Sequence, residues 1–428
     1  MQKLLGTHVG KLVQRAVRMG SSNGQALPGL IVEKLFPSYF AAMLGRLPEG
    51  VVVITGTNGK TTTTKMVVEL LRSQGKRVIT NPTGSNLTRG IISSLIEQAD
   101  RKAHLPFDLA VFEVDEAYAK RFVQQIKPRW VLALNVSRDQ LDRFGEVDAI
   151  ADLVKATMIS ATEGVVTNAN DPRLSTIGKS ISDTQPIKVE YFGIDERLKR
   201  YFPTDDEIVA IDRQQKSIAP PHPHSPAVQL RAFKAQSATY TIQGKSYTTT
   251  LQVTGQHNFQ NAAAALTLVR ALLPAASDEK LVEKLGKVGI AFGRGQIFKL
   301  KNGYNLQLVL VKNPASFKQT IASYLTRKPS VMLAINDNYA DSRDVSWLWD
   351  VDFTMMSAIN IEYTSGSRAV DTALRLQYDN IEVNSTEPDL NSAITNFCRL
   401  PGDKVVIATY TAMLYLHAKL EKEAGKIL

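Results

Sequence analysis

The sequence predicts an α/β protein: a mostly parallel sheet covered by helices on both faces, carrying a small β insertion and followed by a second α/β unit. Three observations predict it. From Val51 onward, short apolar runs alternate with helical stretches. A Gly-rich turn, ITGTNGKTTTT at Ile54–Thr64, closes the first of these runs, and the alternation resumes near Leu300 after a segment of different pattern. Apolar strands separated by helices of about 10–15 residues indicate βαβ units, whose parallel strands are buried on both faces. At 428 residues the chain exceeds one comfortable core, so two or three domains are expected.

Taken in order, residues 1–45 read as a helical lead-in broken by SSNGQALPG, with Ser21, Gly24 and Pro28 as punctuation. Within it, Val9–Met19 has the pattern of a basic amphipathic helix. Packing of one side on the domain is favoured, and resting on a membrane face is the second reading. The alternation then runs VVVIT, helix Thr62–Gln74, KRVIT, helix Ile91–Gln98, DLAVFEV, helix Ala117–Ile126, RWVLALNV, helix Val147–Met158 and EGVVTNAND. Between Tyr191 and Val253 it breaks: IAPPHPHSP reads as an exposed loop, and SATYTI and KSYTTTLQV alternate as antiparallel hairpins do. His222 and His224 lie in that loop with no further ligand set nearby, which favours a loop over a metal site. A helix Asn258–Leu273 follows. Beyond it, strands LQLVLV, SVMLAIN, NIEV and KVVIAT alternate with helices near Ser316–Tyr324, Ser367–Leu376, Leu390–Cys398 and Met413–Lys422. The boundary is placed near Ile297–Asn302, giving domains at 1–297 and 298–428.

Composition narrows the function classes. The formal net charge is +10, which favours acidic partners such as nucleotides, phosphorylated or carboxylated substrates and anionic surfaces. Nucleic acid is disfavoured, because the basic residues form no dense block and no aromatic-interleaved basic motif occurs. No apolar run approaches the length of a bilayer span and the first residues lack the apolar core of a secretion signal, so a cytoplasmic chain is expected, with contact at the inner membrane face allowed. The single cysteine, Cys398 in ITNFCRL, rules out an internal disulfide and reads as a small apolar residue.

The Gly-rich turn carries the chemistry. Gly56 and Gly59 allow the backbone close to phosphate oxygens, and the N–H groups of Thr57, Asn58 and the following helix start add partial positive charge. Lys60 adds a full charge, while Thr61 and Thr62 supply hydroxyls, that of Thr61 within reach of Mg²⁺. Ile54 stands where the general G-x-x-x-x-G-K-[ST] loop has its first glycine, so the loop here is the shorter T-G-T-N-G-K-T.

TGTNGKTTT, Glu113 at the end of DLAVFEV, NVSRDQLDRFGE, TNANDP, GQHNFQNAAAA and AFGRG occur in that order, and together they resemble the Mur ligase superfamily. A narrower resemblance is carried by NPTGSNLTRGI, FEVDEAY, LVKNPASF, INDNYADSRDVSWLWDVDF and ATYTAML, which are similar to the MurT family of synthetase subunits. The resemblance implies a Mur ligase-type central ATPase domain and ATP-dependent amidation of the α-carboxylate of D-glutamate in the lipid II stem peptide. Ammonia would come from a GatD-type glutaminase partner.

On that resemblance Lys60 faces the phosphates, and Thr61 and Glu113 hold Mg²⁺. A carboxylate closing an apolar strand needs a partner, which favours a metal role for Glu113; Asp115 and Glu116 are nearby acidic alternatives, for which caps of the next helix are the favoured reading. Asn86 and Arg89 line phosphate or substrate carboxylate, with Thr83 and Ser85 as further metal contacts and a plain turn as the other reading. Asn258 contacts adenine with His257 beside it. Arg294 reaches the γ-phosphate, and Lys312 serves substrate or phosphate. Among Asp337, Asp341, Asp344, Asp350 and Asp352, whose spacing is not that of an EF-hand, the resemblance implies that one completes the partner's Cys–His pair. Asp344 is first choice, ahead of Asp341 and Asp350. Trp347 and Trp349 read either as an exposed interface core or as buried.

The chain departs from the family pattern in places. No cysteine lies in 191–253, where many relatives carry a zinc ribbon, so zinc is not expected; Gln140 stands where peptide-forming Mur ligases have histidine, and Lys155 reads as a helix-surface residue. Two other functions compete: a folate or amino-acid ligase of the same superfamily, and a non-catalytic nucleotide-binding activator of a glutaminase.

Overall fold

The computed structural model describes residues 2–20, 27–81, 88–137, 147–202, 225–253, 255–289, 294–324, 329–341, 343–423 and 426–427. The chain forms two compact units. The first comprises Met1–Val136, Asp148–Leu251 and Asn258–Val288; the second comprises Ser137–Val147, Gln252–His257 and Gly289–Leu428. The junction expected near Ile297–Asn302 thus falls after the start of the second unit.

The first unit opens with α1 (Gln2–Gly20), α2 (Leu27–Leu35) and α3 (Tyr39–Leu44). Its sheet is built from β1 (Val51–Thr55), β2 (Val78–Ile79), β3 (Leu109–Glu113), β4 (Trp130–Ala133), β5 (Gly164–Asn168), β6 (Lys188–Ile194), β7 (Val228–Lys234), β8 (Ser237–Ile242) and β9 (Lys245–Thr250). Between and after these strands lie α4 (Lys60–Ser73), α5 (Thr88–Gln98), α6 (Glu116–Gln125), α7 (Val147–Ile159), α8 (Pro172–Thr184), α9 (His257–Leu272) and α10 (Asp278–Leu285). Strand order is β2-β3-β1-β4-β5-β6-β7-β8-β9. Strands β2 to β7 are parallel, and β7, β8 and β9 are antiparallel. The expected β insertion is therefore an extension of the main sheet. All five residues of β1 and of β3 are buried, as continuous apolar runs covered on both faces require. The chain leaves β1 to build β3 and β2 on one side and then returns to place β4 on the other. The turn after β1 consequently lies at the point where strand order reverses, beyond the carboxyl ends of the strands.

The second unit contains β10 (Arg294–Lys299), β11 (Asn305–Leu310), β12 (Ser330–Ala334), β13 (Asn360–Ser365), β14 (Val383–Glu387), β15 (Lys404–Ala408) and β16 (Lys426–Ile427), in the order β14-β13-β12-β15-β11-β10-β16. Helices α11 (Pro314–Tyr324), α12 (Ala369–Tyr378), α13 (Leu390–Arg399) and α14 (Tyr410–Glu423) accompany it. Alternation along β12 sends Val331 and Leu333 into one core, with Phe317, Trp347 and Phe353, and Met332 and Ala334 into the other, with Phe397 and Leu416. One sequence expectation is corrected here, and one strand is added to those expected. The run NIEV is not itself a strand: pairing starts at its last residue, Val383, and continues into VNSTE, an edge strand of alternating exposure. The parallel strand β13, NIEYTS, had no apolar run to announce it.

Candidate active site

Three strand ends of the first sheet converge on the Gly-rich turn. Gly56 has φ +124° and Gly59 φ +85°, and a Cβ would stand 2.9 Å from the Asn135 carbonyl oxygen at Gly56 and 2.4 Å from Asn261 Oδ1 at Gly59. Both the backbone conformation and the space demand glycine at these two positions. Gly59 is the N-cap of α4, no side chain caps that end, and the first turn of the helix has no acidic residue. The helix start thus keeps its N–H groups and partial positive charge directed at the turn.

The turn is clamped from the end of β4. Asn135 Oδ1 accepts from the Asn58 N–H (2.8 Å), Asn135 Nδ2 donates to the Asn58 carbonyl (2.9 Å), and the Asn135 carbonyl accepts from the Thr57 N–H (3.0 Å). One residue on, the Val136 N–H donates to Asp171 Oδ2 (2.8 Å). Asp171 is the N-cap of α8, and its Oδ1 accepts from the Arg173 and Leu174 N–H groups (3.1 Å each). Burial raises its carboxyl to about 6 in spite of these donors.

The charged groups meet at the other side of the turn. Lys60 is buried, and its Nζ donates to the Gly56 carbonyl (2.6 Å), to the Thr57 carbonyl (3.3 Å) and to Glu116 Oε2 (3.2 Å). Thr61 Oγ1 donates to Glu113 Oε1 (3.0 Å). Glu113 lies in register with Ile54, and its backbone is held at both N–H and C=O by the side chain of Asn81, at 3.0 and 2.9 Å. Asn81 continues by side chain a β2–β3 ladder that pairs only Val78 and Ile79. Thr61 and Glu113 are thus brought together as expected, and Asp115 caps α6 as expected. Glu116 is not a cap: it lies in the first turn of α6 and is the buried counter-ion of Lys60.

The remaining expected residues distribute as follows. Asn258 is buried, accepts from Asn261 Nδ2 (3.0 Å) and so joins the cluster beside Gly59; His257, the first residue of α9, belongs to the second unit. Thr62 is buried in α4. Arg89 pairs with Glu33 of α2 at 3.5 Å, and Lys155 is exposed on α7. Arg294 opens β10. Lys312 follows β11, where its N–H donates to Ser316 Oγ (3.1 Å). Thr83, Ser85, Asn86, Gln140, His222 and His224 lie outside the described residues.

In the second unit the aspartates separate by environment. Asp341 is buried, accepts from the N–H and hydroxyl of Thr411 at the start of α14, and burial raises its carboxyl above the usual range. Asp337 is held by Ser367 (2.6 Å) and Arg368 (2.9 Å), and Asp352 caps a short 3₁₀ turn. Asp344 is half-buried and accepts from the Ser346 N–H (2.8 Å), whereas Asp350 is exposed. Trp347 is buried in the core, which removes it from any surface; Trp349 is 53% exposed and packs edge-on against Tyr378, itself 67% exposed.

Residues 54–269 match the Mur ligase middle domain family, half of the chain. The chain belongs to the Mur ligase family. It is of the MurT type within it: residues 310–413 match the MurT ligase C-terminal family. It is 28% identical over 449 aligned residues to the lipid II isoglutaminyl synthase (glutamine-hydrolyzing) subunit MurT of Staphylococcus aureus (strain COL), covering 99% of this chain and 98% of that one. The subunit of the same description from Streptococcus pneumoniae is 29% identical, covering 96% of both. Among solved structures, a MurF ligase of Thermotoga maritima in complex with ADP superposes with a TM-score of 0.64 at 17% identity, covering 92% of this chain and 85% of that one, and therefore shares the fold.

Proposed function

We propose that this chain is an ATP-dependent carbon–nitrogen ligase that amidates the α-carboxylate of D-glutamate in the lipid II stem peptide, giving D-isoglutamine. The observation that carries the proposal is the Gly56–Thr61 cradle with Thr61 against Glu113, in a chain whose second unit is of the MurT type. The residues fit a nucleoside triphosphate: two glycines that tolerate no Cβ, an open helix start and a buried lysine. Mg²⁺ fits Thr61 and Glu113, oxygen donors at the mouth of the cradle; when bound it would supply charge neutralisation at the phosphates.

A carboxylate is a poor electrophile, and phosphorylation remedies that. A carboxylate oxygen attacks the γ-phosphorus, the bond to ADP breaks, and the acyl phosphate formed has phosphate as its leaving group. The nitrogen lone pair of ammonia then attacks the acyl carbon, phosphate departs and a proton is lost to solvent. Little covalent work falls to the protein, which positions the groups and neutralises charge. Lys60 is preset for this. The ammonium held by Glu116 already touches the turn it serves, at the Gly56 and Thr57 carbonyls, and an arriving phosphate takes over the charge that Glu116 balances.

Ammonia is supplied, on this reading, by a GatD-type glutaminase subunit docked on the second unit. Support comes from the place of Asp344, half-buried and bonded to the Ser346 N–H within the residues that match the MurT ligase C-terminal family. Trp349 lies close to it in sequence and packs against Tyr378 of α12, where Val370 (66%), Leu374 (47%) and Tyr378, spaced by four residues, expose apolar surface. The test compares ammonium chloride with glutamine plus glutaminase as nitrogen source. Asp344→Asn should retain ammonia-supported amidation and lose the glutamine-supported reaction. Retention of both would move the triad role to Asp350 or elsewhere.

A further inference from the structure

Helix α1 is inverted relative to an ordinary surface helix. Its domain-facing side is made of its smallest residues: Gly6, Thr7 and Gly10 are buried, and Thr7 Oγ1 lies 3.0 Å from Tyr39 Oη. A Cβ on Gly6 would come within 2.6 Å of the Tyr39 ring, and one on Gly10 within 2.7 Å of Ile96. Its leucines point the other way, with Leu4, Leu5 and Leu12 exposed by 41, 48 and 64%. Leu5, His8, Leu12 and Arg15 recur at three- and four-residue steps, which places them along one face, and all four are exposed. Helix α2, packed beside α1, exposes Leu27 (42%) and Leu35 (62%) as well.

Charge selects the occupant of that face. Residues 1–32 contain no aspartate or glutamate but carry Lys3, Lys11, Arg15 and Arg18, so they hold +4 of the chain's net +10. Lys11 is turned to the Ala99 carbonyl, whereas Arg15 and His8 are exposed beside the leucines. Leucines flanked by cations, with Glu33, the one acidic residue of the two helices, paired to Arg89, suit a surface that is apolar within and anionic at its edge. We propose that the outer face of α1 rests on an anionic membrane, with Leu5 and Leu12 at the boundary between headgroups and acyl chains and Arg15 among the phosphates. The inference goes beyond the ligase reading and needs no nucleotide.

The test is co-sedimentation of the full chain, without ATP, with phosphatidylcholine vesicles that do or do not contain phosphatidylglycerol. The chain should pellet with the anionic vesicles, stay largely in the supernatant with the neutral ones, and be released by salt. Leu5→Glu with Leu12→Glu should lower binding by about tenfold or more, while Leu12→Trp, which suits the interface, should raise it. Because these side chains point outward, an unchanged thermal unfolding midpoint confirms that the fold is kept. Equal pelleting with both vesicles, or binding unaltered in the double variant, overturns the proposal. So does a chain that pellets with neither, which would leave the face to a protein partner.

Discussion

Asn135, Asp171 and Glu116 hold the cradle in shape, yet they looked ordinary in the sequence. Lys60, Thr61 and Glu113 were legible because phosphate and metal chemistry demands their types beside a Gly-rich turn. The clamp residues were not, since an asparagine after an apolar strand is equally a turn former, and only the fold brings Asn135 back onto Asn58. The available signal was weak: Asn81, Asn135 and Asp171 each lie just past a strand of the same sheet. Gly59→Ala should destabilise the first unit by about 1–3 kcal/mol and abolish nucleotide binding, measured by denaturant unfolding and by ADP titration. Glu116→Gln should lower the KM for ATP, because the competing carboxylate is gone; an unchanged or raised KM would show that Glu116 does more than hold Lys60. Asp171 makes a pH-dependent prediction. Its folded value of about 6 lies above the ordinary 3.8, so its contribution to stability is full below about 4 and is lost as the pH rises through about 6. Asp171→Ala, which removes that contribution and leaves the Val136 N–H without its acceptor, should therefore destabilise more at pH 4 than at pH 7, by up to about 3 kcal/mol. Urea unfolding at the two pH values checks it.

Among the elements, legibility followed burial. β1, β3, β4, β12 and β15 are buried along their whole length or nearly so and read directly as apolar runs. β13 and β14 did not, because β14 is an edge strand of alternating exposure and β13 begins with the polar, exposed Asn360. The two tryptophans of SWLWD show the same limit. Two residues apart on one 3₁₀ turn, Trp347 packs near Phe317 and Trp349 faces outward, where the Arg375 guanidinium lies 5.5 Å from its ring. Trp349→Ser combined with Leu374→Asp should therefore leave ammonia-supported amidation intact and release the glutaminase subunit, seen as loss of co-elution on size exclusion. Co-elution at unchanged affinity would place the partner on another face.

For the molecule as a whole, two α/β units divide the work. The first contains the Gly-rich cradle and the second contains the residues that match the MurT ligase C-terminal family. No helix among the described residues is long and apolar enough to cross a membrane. A folate or amino-acid ligase would need an amine-bearing substrate in place of ammonia, and a non-catalytic activator would bind nucleotide at the same cradle but leave lipid II unchanged. One measurement sets the proposed reading apart from both: mass spectrometry of lipid II incubated with this chain, ATP, Mg²⁺ and ammonium chloride, beside a Lys60→Ala control. The account predicts the mass change of a hydroxyl replaced by an amino group, with wild type only. An unaltered lipid II mass, repeated with glutamine and the glutaminase present, would contradict it.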